Sequence, residues 1–237
     1  MNSTKKTARV AGLLYLLMGI PAVFSLMYVP SKLIVRGDAT ATANNILASQ
    51  SLFRLGIVSG LISATIFIFL VLVLYRLLKG VNQQHASLMA ILALVQVPIA
   101  FLNEVNSLAA VILVRGADFL SVFEKLQRDA LAMLVLNLHG QGIVVSEIFW
   151  GLWLFPLGLL VFRSGFFPRI LGVLLIVNGF AYLISSFTYL LLPHYGPIVS
   201  RLMLLPEFGE PSFMLWLLIK GAKAQPLDDS ASASAGG

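Results

Sequence analysis

Cysteine is absent from this chain of 237 residues, which excludes disulfides and thiolate metal sites and leaves the redox compartment unreadable. Charge is scarce as well. Only 11% of the residues are Asp, Glu, Lys or Arg, against about a quarter in an ordinary soluble domain. A water-soluble fold of this length would need a polar covering that these side chains cannot supply. Familiar enzyme signatures are missing too: there is no HExxH, no GxSxG and no glycine-rich phosphate loop. None of the remaining patterns implies a cofactor.

What the chain has in excess is hydrocarbon. Hydrophobic residues make up 59% and the mean hydropathy is +0.93. Such an outer surface is stable only against lipid, so the sequence reads as an integral membrane protein with the bilayer as its first partner. A helix needs roughly 20 apolar residues to cross about 30 Å of hydrocarbon. Five runs meet that test, at about 8–29, 53–78, 86–114, 131–162 and 169–192. A sixth, about 205–220, is shorter and opens with Pro206 and Pro211, which suit a helix's first turn. Lys5, Lys6 and Arg9 precede the first run as in a signal peptide, but that run is too long and has no clear cleavage site. The expected fold class is therefore all-α, a polytopic transmembrane bundle of about six spans. It forms one domain over 1–223, and the small polar tail 224–237 is expected to be disordered.

The net charge of +6 does not point to nucleic acid, because the bases sit at the ends of apolar runs rather than in one stripe. Lys5, Lys6, Arg9, Arg76, Lys79, Arg163, Arg169, Lys220 and Lys223 fall on the N-terminal side, whose loops at 79–85 and 163–168 are very short. Bases in short loops favour the cytoplasm. Both termini are expected there, in the cell membrane.

The longer connections lie on the other side. In 115–130, Phe119, Val122, Phe123 and Leu126 recur at helical spacing, predicting an amphipathic helix on the membrane surface. In 37–54, Asp38 is placed to cap a short helix leading into the second span. Glycines recur at seven-residue spacing (Gly12 and Gly19, Gly151 and Gly158, Gly172 and Gly179), and Gly56 and Gly60 form a GxxxG. Small residues on one face let helix backbones approach closely, either inside one bundle or across a homodimer. Pro21, Pro98 and Pro156 fall within spans and should bend them.

Several segments together resemble the bacterial domain-of-unknown-function 4386 family of membrane proteins. They are "ARVAGLLYL", "PSKLIVRGDATATANNI", "LFRLGI", "VPIAFLNEVNSLAA", "IFWGLWLFPLGLLVFRSGFFPRILGVLL" and "FGEPSFMLWLLIKG". The resemblance covers nearly the whole chain. It implies a multi-span helical membrane protein of one domain, and it carries over neither an activity nor a site residue.

Function must therefore be sought in polar residues that do not belong in hydrocarbon. Glu104 lies in the third run, His139 and Glu147 in the fourth, and Glu210 in the sixth, with Asn103 and Asn106 beside the first of these and Arg54 at the start of the second run. Chain direction puts Glu104, His139 and Glu210 in the outer half and Glu147 near the middle. His139 and Glu147 stand eight residues apart, about 80° around a helix, so they can border one cavity. An ionised side chain at mid-bilayer costs at least about 2.5–3.5 kcal/mol, so these acids must be paired, neutral or wetted. Arg54 is the natural counter-ion for Glu104 or Glu210. The favoured reading is an outward-facing polar cavity, formed by Glu104, His139, Glu147, Glu210, Arg54, Asn103 and Asn106, that binds or translocates a small solute or proton. The alternatives are an intramembrane hydrolase or metal-dependent enzyme using Glu and His, and a structural bundle without catalysis.

Overall fold

The computed structural model describes residues 3–223, and every regular element within them is helical. The tail at 224–237 lies outside the described residues. In chain order the helices are α1 (Ser3–Val23), α2 (Val29–Leu33), α3 (Ala39–Ala48), α4 (Gln50–Leu78), α5 (Gln83–Arg115), α6 (Lys125–Leu152), α7 (Leu154–Arg163), α8 (Arg169–Leu191), α9 (Gly196–Met203) and α10 (Gly209–Ile219).

Two pairs join into single long rods, and proline accounts for both junctions. A π-helical turn, Phe24–Tyr28, connects α1 to α2, so the first rod runs Ser3–Leu33. Pro30 in α2 cannot donate to the carbonyl four residues back, and its ring would crowd that carbonyl in an α-helix. The widened turn just before it relieves the crowding. Likewise α6 stops at Leu152, the residue whose carbonyl Pro156 of α7 cannot bond, and the rod continues to Arg163.

Five rods are long and apolar enough to cross a membrane: Ser3–Leu33, Gln50–Leu78, Gln83–Arg115, Lys125–Arg163 and Arg169–Leu191. The sixth segment differs from the expectation of a short span over 205–220. Two pieces, Pro193–Met203 and Pro206–Ile219, meet at 48° and pass the length test only together. By itself α10 has 11 residues, roughly 16 Å of rise and about half of the hydrocarbon thickness. Pro206 opens a 3-10 turn, Pro206–Phe208, rather than the span itself.

The two longer connections divide in the same way. Asp38 caps α3 as expected, its Oδ1 accepting from the Ala41 amide at 2.8 Å. The segment 115–130 does not form one amphipathic helix. Gly116 terminates α5 in the left-handed conformation at φ +69, a 3-10 turn covers Asp118–Leu120, and Glu124 and Gln127 build a capping box that starts α6 at Lys125. Local stop and start signals thus override the helical spacing of Phe119, Val122 and Leu126, which are left exposed.

The spans pack in a closed ring. Contacts run from α1 to α4, α4 to α5, α5 to α6, α6 to α8, α8 to α10, and from α10 back to α1. Glycine sets the closest approaches, and they are internal. A Cβ on Gly151 would meet the Gly179 carbonyl oxygen at 2.6 Å, and one on Gly158 would meet that of Gly172 at 2.7 Å. The two seven-residue pairs therefore face each other in antiparallel register across the α6–α7 rod and α8. Gly12 faces the α10 backbone, whereas Gly19 has nothing within 4 Å.

Two apolar cores lie at the two ends of this ring. One, near the N-terminus, joins residues such as Leu70, Leu74, Met89, Leu157, Leu175 and Leu217. The other, toward the first loop, joins Val29, Ile46, Ile57, Val111 and Leu136, with α3 packed into it.

Candidate functional site

Between the cores the ring leaves a partly open cavity of about 310 Å³ with walls from α1, α4, α5, α6, α8 and α10. On α6 the lining residues are His139, Ile143, Ser146 and Trp150, steps of four, three and four that keep them on one helix face. Gly60, Ser63, Ala64 and Phe67 do the same on α4. Most of the wall is hydrocarbon and aromatic ring, with polar groups gathered in two clusters.

The first cluster joins α5 and α6. Glu104 is only 8% exposed; its Oε1 lies where a Cβ on Gly60 would stand, next to Ser25 Oγ of the π-helical turn. That glycine makes room for the carboxyl. The Asn103 amide donates to the His139 carbonyl at 2.9 Å, and Gly142 leaves space for the Asn103 side chain. In return, His139 Nδ1 lies 3.1 Å from the Asn103 carbonyl oxygen and 3.2 Å from Ser107 Oγ. A carbonyl only accepts, so Nδ1 carries a proton. Glu104 neighbours both His139 and the Ser107 side chain.

The second cluster surrounds Glu210 at the start of α10. Tyr15 of α1 donates its hydroxyl to Glu210 Oε1 at 2.6 Å, and the Glu210 amide donates to Asn178 Oδ1 of α8 at 3.0 Å. Tyr182 also contacts the carboxyl. Ten residues separate Tyr15 from Ser25, roughly 15 Å along the first rod. The two acidic clusters therefore stand at different depths, with the apolar wall between them.

Of the residues expected to share a site, Asn103, Glu104, His139 and Glu210 line this cavity. Asn106 is one step removed, donating to Asn103 Oδ1 at 3.2 Å. Arg54 does not act as counter-ion. It is exposed, and among the described residues no ion pair joins it to Glu104 or Glu210; the pair that forms is Lys125 with Asp129 at 2.6 Å. The inward side of α4 is taken by Phe53, Gly56 and Ile57, and Arg54 is turned about 100° from Phe53. Glu147 is not a lining residue either. It follows Ser146 on α6, interacts with Glu207, and has a buried Oε2 without a hydrogen-bond partner.

Tyr15 and Tyr182 were concealed in the sequence because tyrosine in an apolar run counts toward the span. The available signal was depth: tyrosines usually sit at the membrane interfaces, and these two lie well inside their runs. Trp150 and Trp153, both cavity residues, are similarly indistinguishable from core by spacing.

Ser107 is the hydroxyl nearest His139, but the nitrogen facing it already donates to a carbonyl and has no lone pair with which to take its proton. Among the described residues, no group of three His, Asp or Glu side chains is placed to hold a metal. What the cavity offers is two carboxyl groups, amide and hydroxyl donors, and aromatic faces.

A family model described as "Domain of unknown function (DUF4386)" matches residues 10–221. An uncharacterized protein of Archaeoglobus fulgidus is 35% identical over 79 residues, which cover 33% of this chain. The match spans 46% of that relative's length, about half of it. No solved structure matches.

Proposed function

The chain belongs to the domain-of-unknown-function 4386 family, and from that premise we propose that it is a membrane-embedded binding protein for a small amphipathic solute, held in the central cavity. The observation that carries this reading is the cavity's composition. Six helices each contribute to one partly open space of about 310 Å³, at the lower end of ordinary ligand pockets. Its walls are apolar with a few convergent polar groups, the usual make-up of a small-molecule site. A structural network would have no need of a void. Movement of the solute across the membrane would require the two apolar cores to part in turn.

Because the chain has no cysteine, a single introduced thiol reports on its own surroundings. Ala100→Cys places a thiol on the cavity wall, whereas Leu102→Cys, at a position 71% exposed on the outside of the bundle, places one against lipid. In intact membranes the first should react with a small permeant methanethiosulfonate much faster than the second. Equal inertness of the two would remove the cavity as a wetted binding site.

A further inference from the structure

We propose that the solute is an organic cation, a quaternary ammonium or protonated amine on an apolar body. This rests on the cavity-binding reading and names the class of molecule for it. The cavity wall carries two carboxyl groups, Glu104 and Glu210, and neither lysine nor arginine. Among the described residues no ion pair forms on either acid. Nor does His139 form an ion pair with either acid among the described residues; its Nδ1 is held by the Asn103 carbonyl and Ser107 Oγ. An anionic guest would add like charge to a low-dielectric space, whereas a cation supplies the partner that the chain withholds.

The aromatic lining selects the same class. Phe67 stands edge-to-face on Trp153 with ring centroids 5.3 Å apart, and Trp150 on Tyr182 at 5.8 Å. All four rings line the cavity. Ring faces attract ammonium groups, most strongly where water is excluded, and aromatic cages are the usual receptors for quaternary ammonium. Taking about 30 Å³ for each heavy atom, as for a water molecule, the space holds roughly ten.

The test uses two probes of one shape: phenyltrimethylammonium and its neutral isostere tert-butylbenzene. Each is titrated into full-length protein in nanodiscs and followed by tryptophan fluorescence, since Trp150 and Trp153 face the site. Both are corrected for partition into protein-free nanodiscs. The cation is expected to bind saturably and about 10- to 30-fold tighter than the isostere, the scale of a desolvated cation–π contact. Glu104→Gln or Glu210→Gln, which keep side-chain shape, should reduce that preference, according to which carboxyl the ammonium group meets. Saturable binding of both probes with equal affinity would overturn the cation assignment and leave the cavity reading standing. A preference untouched in both glutamine variants would likewise overturn it. Failure of both probes to saturate the wild-type protein would refute the cavity reading and this inference with it.

Discussion

Gly12→Val is expected to separate the last helix from the first and to destabilise the protein by about 3 kcal/mol or more, the upper range for overpacking. A Cβ at Gly12 would stand 2.5 Å from Leu218 N, 2.8 Å from Leu218 Cα and 2.9 Å from the Leu217 carbonyl carbon. All three are backbone atoms, so no rotamer change can make room. Helix α10 is short and is held by α1 and α8, so losing the α1 contact opens the ring at its weakest joint. It also carries Glu210 away from Tyr15, removing one wall of the cavity. The control lies on the same helix at the same sevenfold spacing. Gly19 has nothing within 4 Å, so Gly19→Val should change stability by no more than about 0.5 kcal/mol. Thermal unfolding of both variants in one detergent checks this. Equal losses would mean that α1 and α10 are not in backbone contact.

Glu210→Leu should produce the second large effect, through the partners it abandons. Tyr15 is 3% exposed, and its hydroxyl has the Glu210 carboxyl at 2.6 Å as acceptor. A buried donor left unpaired costs about 1–3 kcal/mol, and Tyr182 loses the same partner. A total loss near 3 kcal/mol is expected from Glu210→Leu alone. Tyr15→Phe alone leaves one carboxylate oxygen short of a donor and should cost about 1 kcal/mol. The double variant leaves neither group stranded across that contact. Its loss should fall short of the sum of the singles by about 1 kcal/mol, the scale of hydrogen bonds between helices in membranes. Strictly additive losses would show that the Tyr15–Glu210 bond contributes nothing to the α1–α10 joint.

The long spans were legible because they depend on run length alone. Four of the five expected runs fall within the long rods and the fifth, 169–192, passes the end of Arg169–Leu191 by one residue; Asp38 caps its helix because capping is decided by local chemistry. The glycine spacing marked close-packed faces except at Gly19, which has nothing within 4 Å, and only the fold shows that Gly151 meets Gly179 and Gly158 meets Gly172 within one chain. Where the expectation of one amphipathic helix over 115–130 failed, Gly116 and the Glu124–Gln127 box overrode the periodicity. Arg54 and Glu147 failed as cavity residues for a different reason. Depth along a span can be counted from the sequence, but the direction in which a helix presents a side chain depends on which neighbours it packs against. Ser146 and Glu147 differ by a single residue, and only the first faces the cavity.

The central claim is that the ring encloses a wetted cavity rather than a filled core, and the ratio of thiol reaction rates at positions 100 and 102 measures it most directly. Both sites lie on α5 within one turn, so they share depth and differ in direction. A small permeant reagent reaches either position, but the reactive species is the thiolate, which an apolar, dry environment suppresses. Ala100→Cys is expected to react at least about tenfold faster than Leu102→Cys, a difference of about 1.4 kcal/mol between the two environments, and phenyltrimethylammonium should slow it. Rates that agree at the two positions, with or without the cation, would contradict the account.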